Sequence, residues 1–233
     1  MAGEIMGHMA LVPAQCWTRT FKITAGNQSA TCFVISRHDR HWMITAKHFI
    51  DGALPACGGA MTLHRHQGDV NEQVQPQRVP LTQAGADIAV FSLGVTSLVD
   101  ESMTLIPSAH GLVLSQQVFF LGYPLPDRVP VVGTLPFVKS GILSQHAMIN
   151  DVHVWWVDGM NNPGFSGGPV VFNEGGGIGT IWHVLGIVSG YITQEIAVQG
   201  GMPGLVPTNS GIIAVYDIKH ASDAIDAYVG QTT

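Results

Sequence analysis

The chain has 233 residues, 46% of them hydrophobic, only 11% charged, and a formal net charge of −6. That is enough apolar material for a sizeable core and too little charge for a disordered chain. No basic stripe invites nucleic acid, and no apolar run reaches the roughly 18 residues a spanning helix needs.

Met1 to Ala10 lacks the basic start and apolar centre of a signal peptide, and Gly7-His8-Met9 resembles a cloning remnant. The cysteines, Cys16, Cys32 and Cys57, are too few and odd in number for a disulfide framework. A cytoplasmic setting with reduced thiols is expected. A secreted or periplasmic one stays open if the start is a remnant, as does one bridge beside a free thiol.

Trp17 to Thr24 alternates with period two and predicts a strand, followed by Ala30 to Ile35. Ser36 to His41 is a polar hairpin turn before a third strand, Trp42 to Thr45. Further strands are expected at Met61–His66, Ile88–Leu93, Val118–Gly122, Val138–Leu143, Val152–Val157, Val170–Asn173, Val184–Ser189 and Ile212–Tyr216. Short strands separated by Gly- and Pro-rich turns read as an all-β sandwich or barrel. Helical spacing holds at the end of the chain, where Ile218, Ala221, Ile225 and Tyr228 share one face. The stretch Val99 to Gly111 has no strand pattern and divides the strands into two sets. The expected units are residues 12–100, 112–217 and a terminal helix at 218–229.

Three positions carry the chemistry. Gly164-Phe165-Ser166-Gly167-Gly168-Pro169 sets a hydroxyl among glycines, where bare backbone amides can approach a reacting carbonyl. A serine is a weak nucleophile near neutral pH and needs a base. His48, in Thr45-Ala46-Lys47-His48 after an apolar strand, suits that task, since imidazole titrates near about 6.5. Asp87, in Asp87-Ile88-Ala89-Val90 before another strand, can orient the ring and stabilise its charged form. Alone, each has an ordinary reading as a structural His, a turn Asp or a tight turn; together, in the order His, Asp, Ser, they point to acyl transfer.

These three motifs resemble those of the trypsin/chymotrypsin-like serine proteases. Asn162 to Val170, with Phe119-Phe120-Leu121-Gly122-Tyr123-Pro124 and Ser140-Gly141-Ile142-Leu143-Ser144, looks closest to the HtrA/DegP-type branch. The resemblance runs from about Phe21 to Tyr228. It implies two six-stranded antiparallel β-barrels with the site in the cleft between them. His48 and Asp87 come from the first barrel and Ser166 from the second. The amides of Gly164 and Ser166 would form an oxyanion hole. Leu185 to Gly190 would be the strand along which a polypeptide substrate lies, with Ser189 against the Asp87 carboxylate. By position relative to Ser166, Met160 would lie near the base of the primary pocket, Ala214 on a wall and Tyr191 near the mouth. No acid is placed to pair a substrate Lys or Arg, so small or medium apolar side chains are expected there. No cofactor is needed for this chemistry, and a homo-oligomer or regulatory partner stays open.

The chain departs from the family at several points. The digestive branch has an aspartate at residue 165 that receives a newly cut N-terminus. Phe165 cannot, so activation of that type is not expected. Phe49 stands where that branch has a cysteine, so Cys32 reads as a buried apolar residue. The helix stands at the end of the sequence, so a PDZ module like that of HtrA-type proteins is not expected within this chain. Gly164 to Gly168 also satisfies G-x-S-x-G. The α/β-hydrolase elbow needs its acid and His afterwards, where Asp217 and His220 are the one close pair, beside the terminal helix. A catalytically silent scaffold that binds peptides is the alternative from another class. His64-Arg65-His66 and the His38/His41 pair lack a carboxylate cluster, so no metal is expected. Gly175-Gly176-Gly177 and Gly200-Gly201 read as turns.

Overall fold

The computed structural model describes residues 11–53, 60–64, 71–74, 77–94, 98–124, 135–174, 181–198 and 204–232. Cys57, His66, Gly175-Gly176-Gly177 and Gly200-Gly201 lie outside them.

The N-terminal half contains α1 (Ala14–Thr18), β1 (Thr20–Ala25), β2 (Gln28–Arg37), β3 (Arg40–Thr45), α2 (Lys47–Ala53), β4 (Met61–His64), β5 (Asn71–Val74), β6 (Gln77–Val79) and β7 (Ala89–Gly94). Trp17 and Thr18, expected in a strand, belong to α1. Pro13 opens that turn by accepting from the Cys16 amide (3.0 Å). The Thr18 and Thr20 hydroxyls close it on the Ala14 and Cys16 carbonyls, each at 2.8 Å, so local capping overrides the period-two pattern. The expected polar turn tightens to His38-Asp39, both left-handed at φ 52° and 55°, as a two-residue hairpin turn requires. Alternate residues of β2 feed two cores. Cys32 and Val34 pack with Phe21, Ile23 and Phe91; Phe33 and Ile35 pack with Trp42, Val154 and Ile225. Burial on both faces explains why this strand reads as an almost continuous apolar run.

The second half contains β8 (Ile106–Pro107), β9 (Gln117–Gly122), β10 (Phe137–Ile149), β11 (Val152–Asp158), β12 (Pro169–Glu174), β13 (Ile181–Val198), β14 (Gly204–Asp217) and α3 (Lys219–Thr232). Each half forms one sheet. The second, β12-β9-β10-β11-β14-β13, is closed into a six-stranded ring by β12–β13 pairing, with β8 added alongside β13 in parallel. The first has seven strands, β5-β4-β1-β2-β3-β7-β6, and curls without a closing pair among the described residues. The fold is thus trypsin-like and all-β, with one complete ring and one half-barrel. The short strands β5 and β6 carry too few apolar residues to be read as strands. β13 and β14 also outrun their apolar segments. Beyond Tyr191 they continue as a ladder from Thr193↔Asn209 to Val198↔Gly204, held by backbone pairing that leaves Ile196, Leu205 and Val206 exposed.

The terminal helix packs Ala221, Ile225 and, in part, Tyr228 onto a core shared by both sheets, just after Ile218. Trp42 meets Tyr228 edge-on at 6.0 Å. This shared core, with Phe33, Leu121, Val154 and Ile187, fixes one sheet against the other and so fixes the cleft. Cys16 and Cys32 are buried and unbridged; burial pushes the Cys16 thiol up to about 12 and the Cys32 thiol higher still, so both behave as apolar side chains.

Candidate active site

His48 and Asp87 come from the first sheet's connections. His48 lies in the first turn of α2, not in a loop, because β3 passes straight into a helical turn that buries Phe49 and Ile50. That burial turns His48 outward, half exposed. Asp87 lies just ahead of β7. Its Oδ2 accepts from His48 Nδ1 at 2.7 Å and its Oδ1 from the His48 backbone amide at 2.8 Å. Two bonds from one residue fix ring and backbone together. With Nδ1 donating, the lone pair of Nε2 faces outward, free to take a proton.

Ser189 supplies the third partner of this carboxylate, its hydroxyl donating to Asp87 Oδ2. The β13/β14 register shifts between Val188 and Gly190, so Ser189 sits in a bulge outside the ladder. Its carbonyl is thereby released, and it accepts the Ser166 hydroxyl at 2.9 Å. Ser189 therefore joins Asp87 to Ser166, while the Ser166 hydroxyl is spent on a carbonyl rather than on the imidazole. Burial would raise the Asp87 carboxyl, but the bonds from His48 and Ser189 outweigh it and hold it below the ordinary range. The hydrogen bond to Asp87 in turn holds His48 above its ordinary value, against a smaller opposing effect of burial.

The Ser166 loop is gripped from the first sheet. The Thr31 amide donates to the Ser166 carbonyl (2.9 Å) and the Thr31 hydroxyl to the Gly164 carbonyl (2.6 Å). That hydroxyl also accepts from the Tyr123 amide (3.1 Å). On the other side the Gly167 amide donates to the Val188 carbonyl at 2.7 Å. Gly164 and Gly167 hold φ of +105° and +85°. A Cβ at 164 would lie 2.2 Å from the Tyr123 carbonyl oxygen, and one at 167 would lie 2.1 Å from that of Thr31. Glycine is required at both for conformation and for space. The Phe165, Gly167 and Gly168 amides are bonded within the fold, whereas those of Gly164 and Ser166 meet no protein acceptor among the described residues. Thr31 and Tyr123 carried no signal as site residues, since one reads as a mid-strand threonine and the other as a strand end.

The residues read as pocket-lining divide. Met160 is 51% exposed at the loop's start. Tyr191 pairs with Ile213, and Ala214 with Gly190. Ala214 turns toward the core shared by the two sheets, while Ile213 points into the ring beside Phe165. Beyond Tyr191, Ile192 lines an apolar depression of about 340 Å³ with Trp156, Ile212, Ser144, Gln145 and Asp158. His38 and His41 lie against Asp226 and Glu101, and His64 against Thr24. Among the described residues no three His, Cys, Asp or Glu side chains are grouped to share an ion.

Solved structures similar in fold include the Rv3671c protease of M. tuberculosis in its inactive form, at 18% identity over 92% of this chain and 90% of that one, with a TM-score of 0.59. The HtrA-type protease AlgW with a tripeptide matches at 16% identity over 94% of this chain but 63% of that one, with a TM-score of 0.64. A serine endoprotease from Yersinia pestis matches at 17% identity over 93% and 67%, with a TM-score of 0.62. No curated protein matches the chain. The family model described as a trypsin-like peptidase domain matches residues 30–179, a span that includes His48, Asp87 and Ser166. The match covers well over half of the chain and places this protein in the trypsin-like peptidase family as a serine-type endopeptidase.

Proposed function

We propose that Ser166 is the nucleophile, His48 its general base and Asp87 the group that orients the imidazole. The observation that supports this best is the double hold of Asp87 on His48, with Ser189 linking the same carboxylate to Ser166. An extended polypeptide adds by backbone pairing to the edge of β13 at Ser189 to Tyr191 that faces away from β14 and pairs with no strand among the described residues. Its N–H competes for the Ser189 carbonyl and releases the Ser166 hydroxyl, which turns to His48 Nε2. His48 takes that proton as Ser166 Oγ bonds to the scissile carbonyl carbon, and returns it to the leaving amine. The free amides of Gly164 and Ser166 receive the oxyanion. Water then hydrolyses the acyl-enzyme with His48 again as base.

The side chain before the scissile bond enters a pocket bounded by Met160, Tyr191 and the β14 segment around Ala214. None of these residues is an acid that could pair a substrate Lys or Arg, and small or medium apolar residues are preferred. A second reading, a silent peptide-binding scaffold, draws on the Ser166 hydroxyl resting on the Ser189 carbonyl.

A fluorophosphonate probe followed by a peptide-library digest separates the two. Labelling and cleavage by wild type, abolished in Ser166→Ala, support the enzyme, with turnover reduced by several orders of magnitude. No labelling of wild type favours the scaffold, and labelling of Ser166→Ala moves the nucleophile elsewhere. A cleavage profile dominated by Lys or Arg overturns the apolar preference.

A further inference from the structure

Phe165 cannot bind a cut N-terminus through a charge, so the loop ahead of Ser166 needs another anchor. The ring interior supplies one. Lys139 on β10 sits directly across from Phe120 on β9, so the two side chains share the inner face of the ring. Phe120 meets the fully buried Phe165 edge-on at 5.1 Å. From this position the Lys139 ammonium lies 5.7 Å from the Phe165 ring centre and 6.0 Å from that of Phe120. It donates to the Met160 carbonyl and, at 3.3 Å, to Asn162 Oδ1. One cation thus touches three residues of the segment that leads into Ser166.

We propose that Lys139 is a positioning residue that holds the Met160–Phe165 segment, and with it the Gly164 amide, in the shape that receives the oxyanion. The Gly164–Gly167 side of the loop is held by Thr31 and Val188. On the Met160–Asn162 side, the side-chain anchors among the described residues are Lys139 and the Asn209 amide on the Asn161 carbonyl (2.8 Å). No carboxylate pairs with Lys139 among the described residues, so its charge is spent on loop carbonyls and aromatic faces. Partial burial lowers its pKa, the cost of keeping a cation there; a methionine would fill the same space without it. Phe165 therefore fits the site: its ring face takes the place of a charged acceptor, and the cation arrives from the chain's own β10.

The role rests on the reading of Gly164 and Ser166 as the oxyanion hole, and the test keeps the two apart. Lys139→Met, Lys139→Gln and Lys139→Arg are compared with wild type and Ser166→Ala. Amide hydrogen exchange across residues 160–168 reads the loop without any turnover, and peptide cleavage reads kcat and KM. Lys139→Met is expected to speed exchange in 160–168 at least about tenfold with β1 to β3 unchanged. It lowers kcat by roughly 10- to 100-fold, the scale of a misplaced catalytic group, with KM nearly constant. Lys139→Arg recovers most of both. If Lys139→Met does not fold, Lys139→Gln carries the same expectation. Unchanged exchange in a folded charge-free variant overturns the proposal. So does a lowered melting temperature with kcat intact, or an effect confined to KM or to acidic substrate side chains, which would make Lys139 part of the substrate pocket. Should wild type show no cleavage, the catalytic reading fails while the exchange measurement still decides whether Lys139 orders the loop.

Discussion

Thr31→Val is the sharpest test of how one sheet holds the other's Ser166 loop. The change is close to isosteric at a fully buried position, so it leaves no cavity and removes only the hydroxyl. That oxygen accepts from the buried Tyr123 amide at 3.1 Å and donates to the Gly164 carbonyl at 2.6 Å. Loss of the bond from that buried amide costs about 1–3 kcal/mol, and loss of the bond to a carbonyl that water can partly reach about 1 kcal/mol. The added methyl offsets up to about 1 kcal/mol, leaving a net loss near 2–3 kcal/mol. For a chain of this length each kcal/mol moves the melting temperature by about 2–4 °C, so Thr31→Val should melt roughly 4–12 °C lower by calorimetry. Thr31→Ser keeps both bonds and loses one methyl, and should fall by the smaller amount. A Thr31→Val protein melting within about 2 °C of wild type, or above Thr31→Ser, would refute the assignment of the hydroxyl as the clasp.

Two further changes probe the same site. His48 is held above 6.5 by Asp87, and in the proposed mechanism only its neutral form accepts the Ser166 proton. Activity is therefore lost as pH falls through that raised value. Asp87→Asn should move this acidic limb downward and cut kcat roughly ten-thousand-fold, measured as a pH–rate profile; an unmoved limb argues against Asp87 as the perturbing group. Gly167→Ala drives a Cβ to 2.1 Å from the Thr31 carbonyl oxygen and 2.3 Å from Thr45 Oγ1 at a φ of +85°. It should cost more than about 3 kcal/mol and yield little soluble enzyme, which expression and a thermal melt would show.

The strands legible in the sequence were those with apolar character on at least one face, such as Ala30–Ile35 within β2 and Val152–Val157 within β11. β5, β6 and the outer half of the β13–β14 ladder were not, because backbone pairing holds them without an apolar pattern. The helical setting of His48 also escaped notice: seven residues from Lys47 to Ala53 are too few to display a period.

What the sequence determined alone was the set of candidate reacting groups. Glycines around Ser166, a histidine after one strand and an aspartate before another are local choices, and local chemistry is written in local residues. Ser189 bridging Asp87 to Ser166, Thr31 clasping the loop from the opposite sheet and Lys139 reaching across to Asn162 were decided by tertiary structure. These contacts join residues 23 to 133 positions apart, two of them within the ring of the second sheet and two across the core the sheets share, and no spacing along the chain encodes them.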